Sequence, residues 1–173
     1  MALFVVGCGA EEKPKADKPA ATTAVPSKGD TAQGSEPAEE PLETLAIAKG
    51  QKGLELTIHS ADRDQGGFLT IKGRLKNTSG SASIIPAQMS GNETEVVKHG
   101  NSMGGATLVD SVGKKRYYVL RDTDGRPLTT SALDSLGPGK STAVFMQFPA
   151  PPASTTEVSF QLPTFEPATL KLS

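Results

Sequence analysis

Phe68-Leu69-Thr70-Ile71-Lys72-Gly73-Arg74-Leu75-Lys76, FLTIKGRLK, alternates between two kinds of side chain for nine residues. Leu69, Ile71, Gly73 and Leu75 share one side of an extended chain, and Thr70, Lys72, Arg74 and Lys76 share the other. A period of two is the signature of a strand with one dry face and one wet face. The preceding run GLELTIHS (53–60) has the same texture: Leu54, Leu56 and Ile58 alternate with Glu55, Thr57 and His59. Asn77-Thr78-Ser79-Gly80 closes the first run with turn-forming residues.

Working outward, further strands are expected at Ser83–Gln88, Glu93–Lys98, Ala106–Val109, Arg116–Leu120, Ser141–Phe148, Glu157–Leu162 and Thr169–Leu172. Between them stand Asp110-Ser111-Val112-Gly113, Asp122-Thr123-Asp124-Gly125, Gly137-Pro138-Gly139 and Pro149-Ala150-Pro151-Pro152, all chain-turning sequences. No window of a dozen residues has a helical period, and there is no alternation of strands with helices. The fold class is therefore all-β: one immunoglobulin-like sandwich of about seven to nine antiparallel strands over residues 45–173. Leu69, Ile71, Val158, Phe160 and either Val144 or Phe145 are expected in the core. A domain of this size buries roughly two thirds of its unfolded surface and needs no disulfide.

The 173 residues include 18 Gly, 13 Pro, no Trp and a single cysteine, Cys8. One cysteine makes neither an internal disulfide nor a cysteine-based zinc site. Up to Ala48 there are four lysines against eight acidic residues, and beyond it fourteen basic against eleven acidic. That dispersed balance does not match a nucleic-acid binder, which gathers Lys and Arg in one stripe among stacking aromatics. No apolar stretch approaches the roughly 18 to 20 residues that cross a bilayer.

Ahead of the sandwich, Met1–Gly7 is mostly apolar, and residues 8–44 are Ala, Pro, Glu, Lys, Thr, Ser and Gly with hardly an aliphatic side chain. A segment of that composition cannot bury enough apolar surface to offset its conformational entropy, so it is expected to serve as a disordered tether of on the order of 30 Å. Val5-Val6-Gly7-Cys8 resembles the bacterial lipobox: an aliphatic residue, a tolerant position, a small residue and a cysteine. The resemblance implies that Cys8 carries a diacylglycerol and becomes the amino terminus after cleavage behind Gly7. Residues 1–7 then read as the end of a lipoprotein signal whose basic region is missing, and a start codon upstream of Met1 is expected. The alternative is a soluble protein in which Cys8 is an ordinary surface thiol.

Together with the stretch LDSLGPGKSTAVFMQFPAPP (133–152), this organisation is similar to the small extracellular lipoproteins of high-GC Gram-positive bacteria, and GATLVDSVGKKRYYVLRDTDGRPL (105–128) is similar to the sandwich domains that those bacteria sometimes fuse to a peptidoglycan-binding OmpA-type module. The resemblance implies an immunoglobulin-like domain on the outer face of the cytoplasmic membrane, held there through lipidated Cys8, with no common activity.

Chemistry-bearing patterns are sparse. The two histidines, His59 and His99, are accompanied by no Gly-x-Ser-x-Gly elbow. Asp122-Thr123-Asp124-Gly125 supplies half of a calcium loop, but Arg126-Pro127 follow where further oxygen ligands would be needed, and an Asp-Gly hairpin turn is the stronger reading. Gly100–Gly105 lacks the Lys-Ser/Thr of a phosphate loop, and Asn77 and Asn92 begin glycosylation sequons without meaning in a bacterial host. The one unusual cluster is Lys114, Arg116, Tyr117 and Tyr118, with Arg121 close by. A strand sends Tyr117 and Tyr118 to opposite faces, one to the core and one to the surface. An exposed Tyr among cations suits an anionic or protein partner; charged flanks that keep an edge strand unpaired are the competing explanation. The expectation is a non-enzymatic surface module without cofactor or metal, or, as the alternative, a secreted ligand- or metal-binding protein or surface enzyme whose site is assembled from dispersed loops.

Overall fold

Alternation along Phe68–Lys76 sets the architecture. In the computed structural model, which describes residues 43–172, strands β1 (Ala46–Lys49), β2 (Leu54–Arg63), β3 (Phe68–Asn77) and β8 (Ser141–Pro149) form one antiparallel sheet in the order β1-β2-β3-β8. Strands β5 (Thr107–Asp110), β6 (Lys115–Tyr118), β9 (Glu157–Gln161) and β10 (Ala168–Lys171) form the second, in the order β10-β9-β5-β6. β4 (Ser83–Ile84) and β7 (Ser135–Leu136) pair as a small ribbon, and α1 (Thr94–Val97) is a single helical turn.

The central pairs, β3 with β8 and β5 with β9, join strands that are distant in the chain. This is the immunoglobulin-like Greek key: β2, β3 and β8 hold the A, B and E places, and β5, β6, β9 and β10 hold C, C′, F and G. β1 is an additional strand outside A. The inner faces meet in one core of Leu54, Leu56, Ile58, Leu69, Ile71, Leu75, Met146 and Phe148 from the first sheet and Leu108, Val158, Phe160 and Leu170 from the second. Val144 is the inward residue of its pair, and Phe145 faces out.

Gly73 is required where it stands. β2 carries one extra residue, His59, between the partners Ile58 and Ser60, and the resulting bulge drives the Thr57 carbonyl towards β3. A Cβ on Gly73 would lie 2.3 Å from that oxygen.

Two stretches depart from the expected strands. Residues 93–98 form α1 and its flanks, not a strand: Gly91 and Gly100, both at φ near 86°, bound the segment, and one helical turn suffices to bury Val96. Of Ser83–Gln88 only Ser83 and Ile84 pair; Pro86 lacks an N–H, and Ala87–Ser90 winds into a 3-10 turn that buries Met89. β1 and β7 were not foreseen, because AIAK is poor in β-formers and Ser135–Leu136 is too short to show a period.

Polar side chains pin both ends of the sandwich. Fully buried Asn77 donates through Nδ2 to the carbonyls of Ser81 (2.7 Å), Leu136 (2.9 Å) and Gly137 (3.1 Å), while its Oδ1 accepts from the Ser79 N–H and hydroxyl. At the opposite end Arg63 donates to the carbonyls of Pro152 and Thr155, and Thr155 donates its hydroxyl to Asp110 (2.8 Å). One loop is thereby tied to both sheets.

Candidate functional site

β6 is the outer strand of the second sheet, and its register with β5 decides which side chains reach solvent. Tyr117 lies opposite Leu108 and packs against the core; Tyr118 lies opposite Thr107 and is 55% exposed. Beyond Tyr118 the chain leaves this sheet, and the Leu120 N–H donates to Gln147 on β8. The crossing brings Arg116, Tyr117, Tyr118 and Arg121 together with Glu93 and Pro149 around a groove of about 490 Å³. Four of the five expected patch residues therefore meet. Lys114 does not join them: it sits at φ 51° in the β5–β6 turn, away from the groove lining.

Charge in this groove is partly compensated. Arg121 pairs with Glu93 at 2.5 Å, whereas Arg116 has no ion-pair partner among the described residues. The hydroxyl of Tyr117 is buried and has no hydrogen-bond partner among the described residues. Burial, followed by the negative charge of Asp110, pushes the Tyr117 phenol up from its ordinary value, so it stays neutral. Asp110 is held below the usual carboxylate range, first by the Gly113 N–H at 2.7 Å and next by the Thr155 hydroxyl. It closes a turn and is not poised for proton transfer.

A second groove, of about 610 Å³, escaped the sequence reading. Its floor comes from the outer side of β8, where Phe145 is 43% exposed and Gln147 is half-buried. Leu128 to Thr130 run along the free edge of β8: Gln147 N–H donates to Leu128, and Thr130 N–H donates to Phe145. The walls are His99, Asp122, Arg126, Pro127 and Ser131. His99 Nε2 lies 3.0 Å from the Asp124 carbonyl and must donate to it, since a carbonyl only accepts.

The turn reading of Asp122–Gly125 is observed directly. Asp122 Oδ1 accepts from the N–H groups of Asp124 (2.9 Å) and Arg126 (2.8 Å), the Asp122 N–H donates to Arg126, and Gly125 takes φ 83°. Among the described residues no three His, Cys, Asp or Glu gather in metal-binding geometry, and no helix is long and apolar enough to cross a membrane. His59 is the bulged residue of β2 and bonds the Glu43 carbonyl through Nδ1. The sequon at Asn77 is sealed inside the fold, while Asn92 is exposed. Cys8, the signal-like residues 1–7 and nearly all of the proposed tether lie outside the described residues.

No protein-family model matches the chain, and no curated protein matches it. Among solved structures it is similar to a functionally unknown protein from Listeria monocytogenes EGD-e, with 12% identity over 75% of this chain and 83% of that one and a TM-score of 0.41.

Proposed function

We propose that this chain is an extracytoplasmic lipoprotein whose sandwich is a non-enzymatic interaction module, anchored through lipid on Cys8 and engaging an anionic protein or wall component at the β6 edge. The single observation that supports the binding role is the convergence of Arg116, Tyr117, Tyr118 and Arg121 on one groove at a sheet edge. An exposed aromatic ring beside an uncompensated guanidinium is the composition that interfaces favour. The anchor is supported by the Val5-Val6-Gly7-Cys8 sequence alone.

Two measurements test the parts separately. Mass spectrometry of the protein from membranes should find a diacylglycerol on an amino-terminal Cys8; recovery from cytosol with Met1 intact ends the anchor reading. For the edge, purified chain is mixed with isolated cell envelopes, and retention is compared with that of a variant carrying Arg116→Ala, Tyr118→Ala and Arg121→Ala. Retention should fall by about tenfold or more, as expected when one or two anchor contacts are lost. Equal retention by a variant of unchanged Tm overturns the edge reading.

A further inference from the structure

We infer that the groove between the outer side of β8 and the His99 and Asp122–Ser131 segments is a binding site for a neutral pyranose oligosaccharide. The inference is independent of lipid on Cys8 and of the β6 edge.

The floor supplies the first requirement. Phe145 projects from an edge strand and is 43% exposed as a residue, although β8 offers an inward position one residue away that Val144 occupies. A flat apolar ring presented on a rigid sheet matches the C–H face of a pyranose, which is flat and apolar on the same scale. Leu128 and Pro127 extend this apolar surface along the groove.

The walls supply the second. Sugar hydroxyls each donate and accept, so a complementary site needs both kinds of group in fixed positions and little net charge. Asp122 Oδ1 is engaged by two backbone N–H groups, which fixes the carboxylate, and Oδ2 has no donor among the described residues. Arg126, anchored through its backbone on both sides of the same turn, carries a guanidinium with no ion-pair partner among the described residues. His99 donates through Nε2 to Asp124, so in the neutral ring Nδ1 is an acceptor. The Gln147 side chain donates through Nε2 to the Thr70 hydroxyl at 3.4 Å and keeps Oε1 as an acceptor. One anion and one cation on the walls leave the groove near neutrality, which suits neither a polyanion nor a cation. Its volume, about 610 Å³, lies within the range of sites for small organic ligands.

The test is a titration of the ¹⁵N-labelled full chain with three probes, the N-acetylglucosamine tetramer, cellotetraose and maltotetraose, followed by amide chemical shifts. At least one probe should move the amides of His99, Asp122–Arg126, Phe145 and Gln147 in a saturable way. Phe145→Ala should then weaken binding about tenfold, and Phe145→Tyr, which keeps the ring, should change it by no more than about threefold. Arg126→Ala, on an exposed turn, should weaken binding with Tm unchanged. The inference fails if none of the three probes moves these amides, if the moving amides lie elsewhere, or if binding survives Phe145→Ala unaltered.

Discussion

Phe145 and Phe148 stand three residues apart on β8, and the sheet gives them opposite surroundings. Phe148 is fully enclosed between the two sheets, while Phe145 lies open on the outer side. The inner layer is built from long, regular strands whose alternation dictates which side chains meet. The outer side of β8 is shaped by irregular segments: Asp122–Ser131, which leans on the sheet through the backbone hydrogen bonds of Leu128 and Thr130, and the turn at His99, whose ring bonds the Asp124 carbonyl. The regular layer carries stability, and the irregular one brings varied chemistry to a fixed platform.

That contrast is broken most directly by truncating each ring. Phe148→Ala should cost about 3–5 kcal/mol in urea unfolding, from lost burial plus a cavity, and Phe145→Ala about 1 kcal/mol or less. Similar losses for the two would mean that the outer ring is part of the structural core. Next in size is Asn77→Ala, which strands carbonyls that Nδ2 now satisfies; a loss of about 2–3 kcal/mol is expected, with the β4–β7 end opening first in hydrogen exchange.

A smaller effect is expected at the far end of the sandwich, and it depends on pH. Asp110 has a lowered pKa in the folded chain, so its contribution is fully present above the ordinary carboxylate range, about pH 4, and is lost as pH falls through the folded value. Asp110→Asn should accordingly lower Tm at pH 7, and the gap from the parent should close as pH falls from the ordinary carboxylate range through the folded value. A gap that stays constant over that range would assign the effect to geometry instead of charge. The smallest change is Tyr117→Phe. Removing a buried hydroxyl that no group among the described residues meets should leave stability unchanged or raise it by up to about 1 kcal/mol, and envelope retention should persist.

The legible part of this fold is the part with a period. Leu69, Ile71 and Leu75 announced a strand, and so did Leu54, Leu56 and Ile58, because each run is long enough to repeat its pattern several times. Thr94–Val97 is only four residues long, and its Val-Val pair reads as β until the burial of Val96 is known. The β6 cluster was visible because its residues are adjacent in sequence, and alternation correctly separated Tyr117 from Tyr118. The second groove could not be seen in that way. His99, Asp122 and Phe145 meet only after the chain has crossed between sheets, and each alone is an unremarkable loop, turn or strand residue. The signal that existed was Phe145 itself, an aromatic on the wet phase of an otherwise regular alternation.

β1 gives the sandwich a mechanical direction. It is the outermost strand of its sheet, pairs with β2 over four residues, is tied at its far end by the Glu166 N–H donating to Lys49, and is reached from the amino-terminal side through the Leu45 N–H to Ile58 bond. A pull arriving through residue 43 would load those few rungs before any contact of β2 with β3. The domain would yield first by shedding one short strand, releasing a few residues of chain on its amino-terminal side while the remaining seven strands of the two main sheets stay packed.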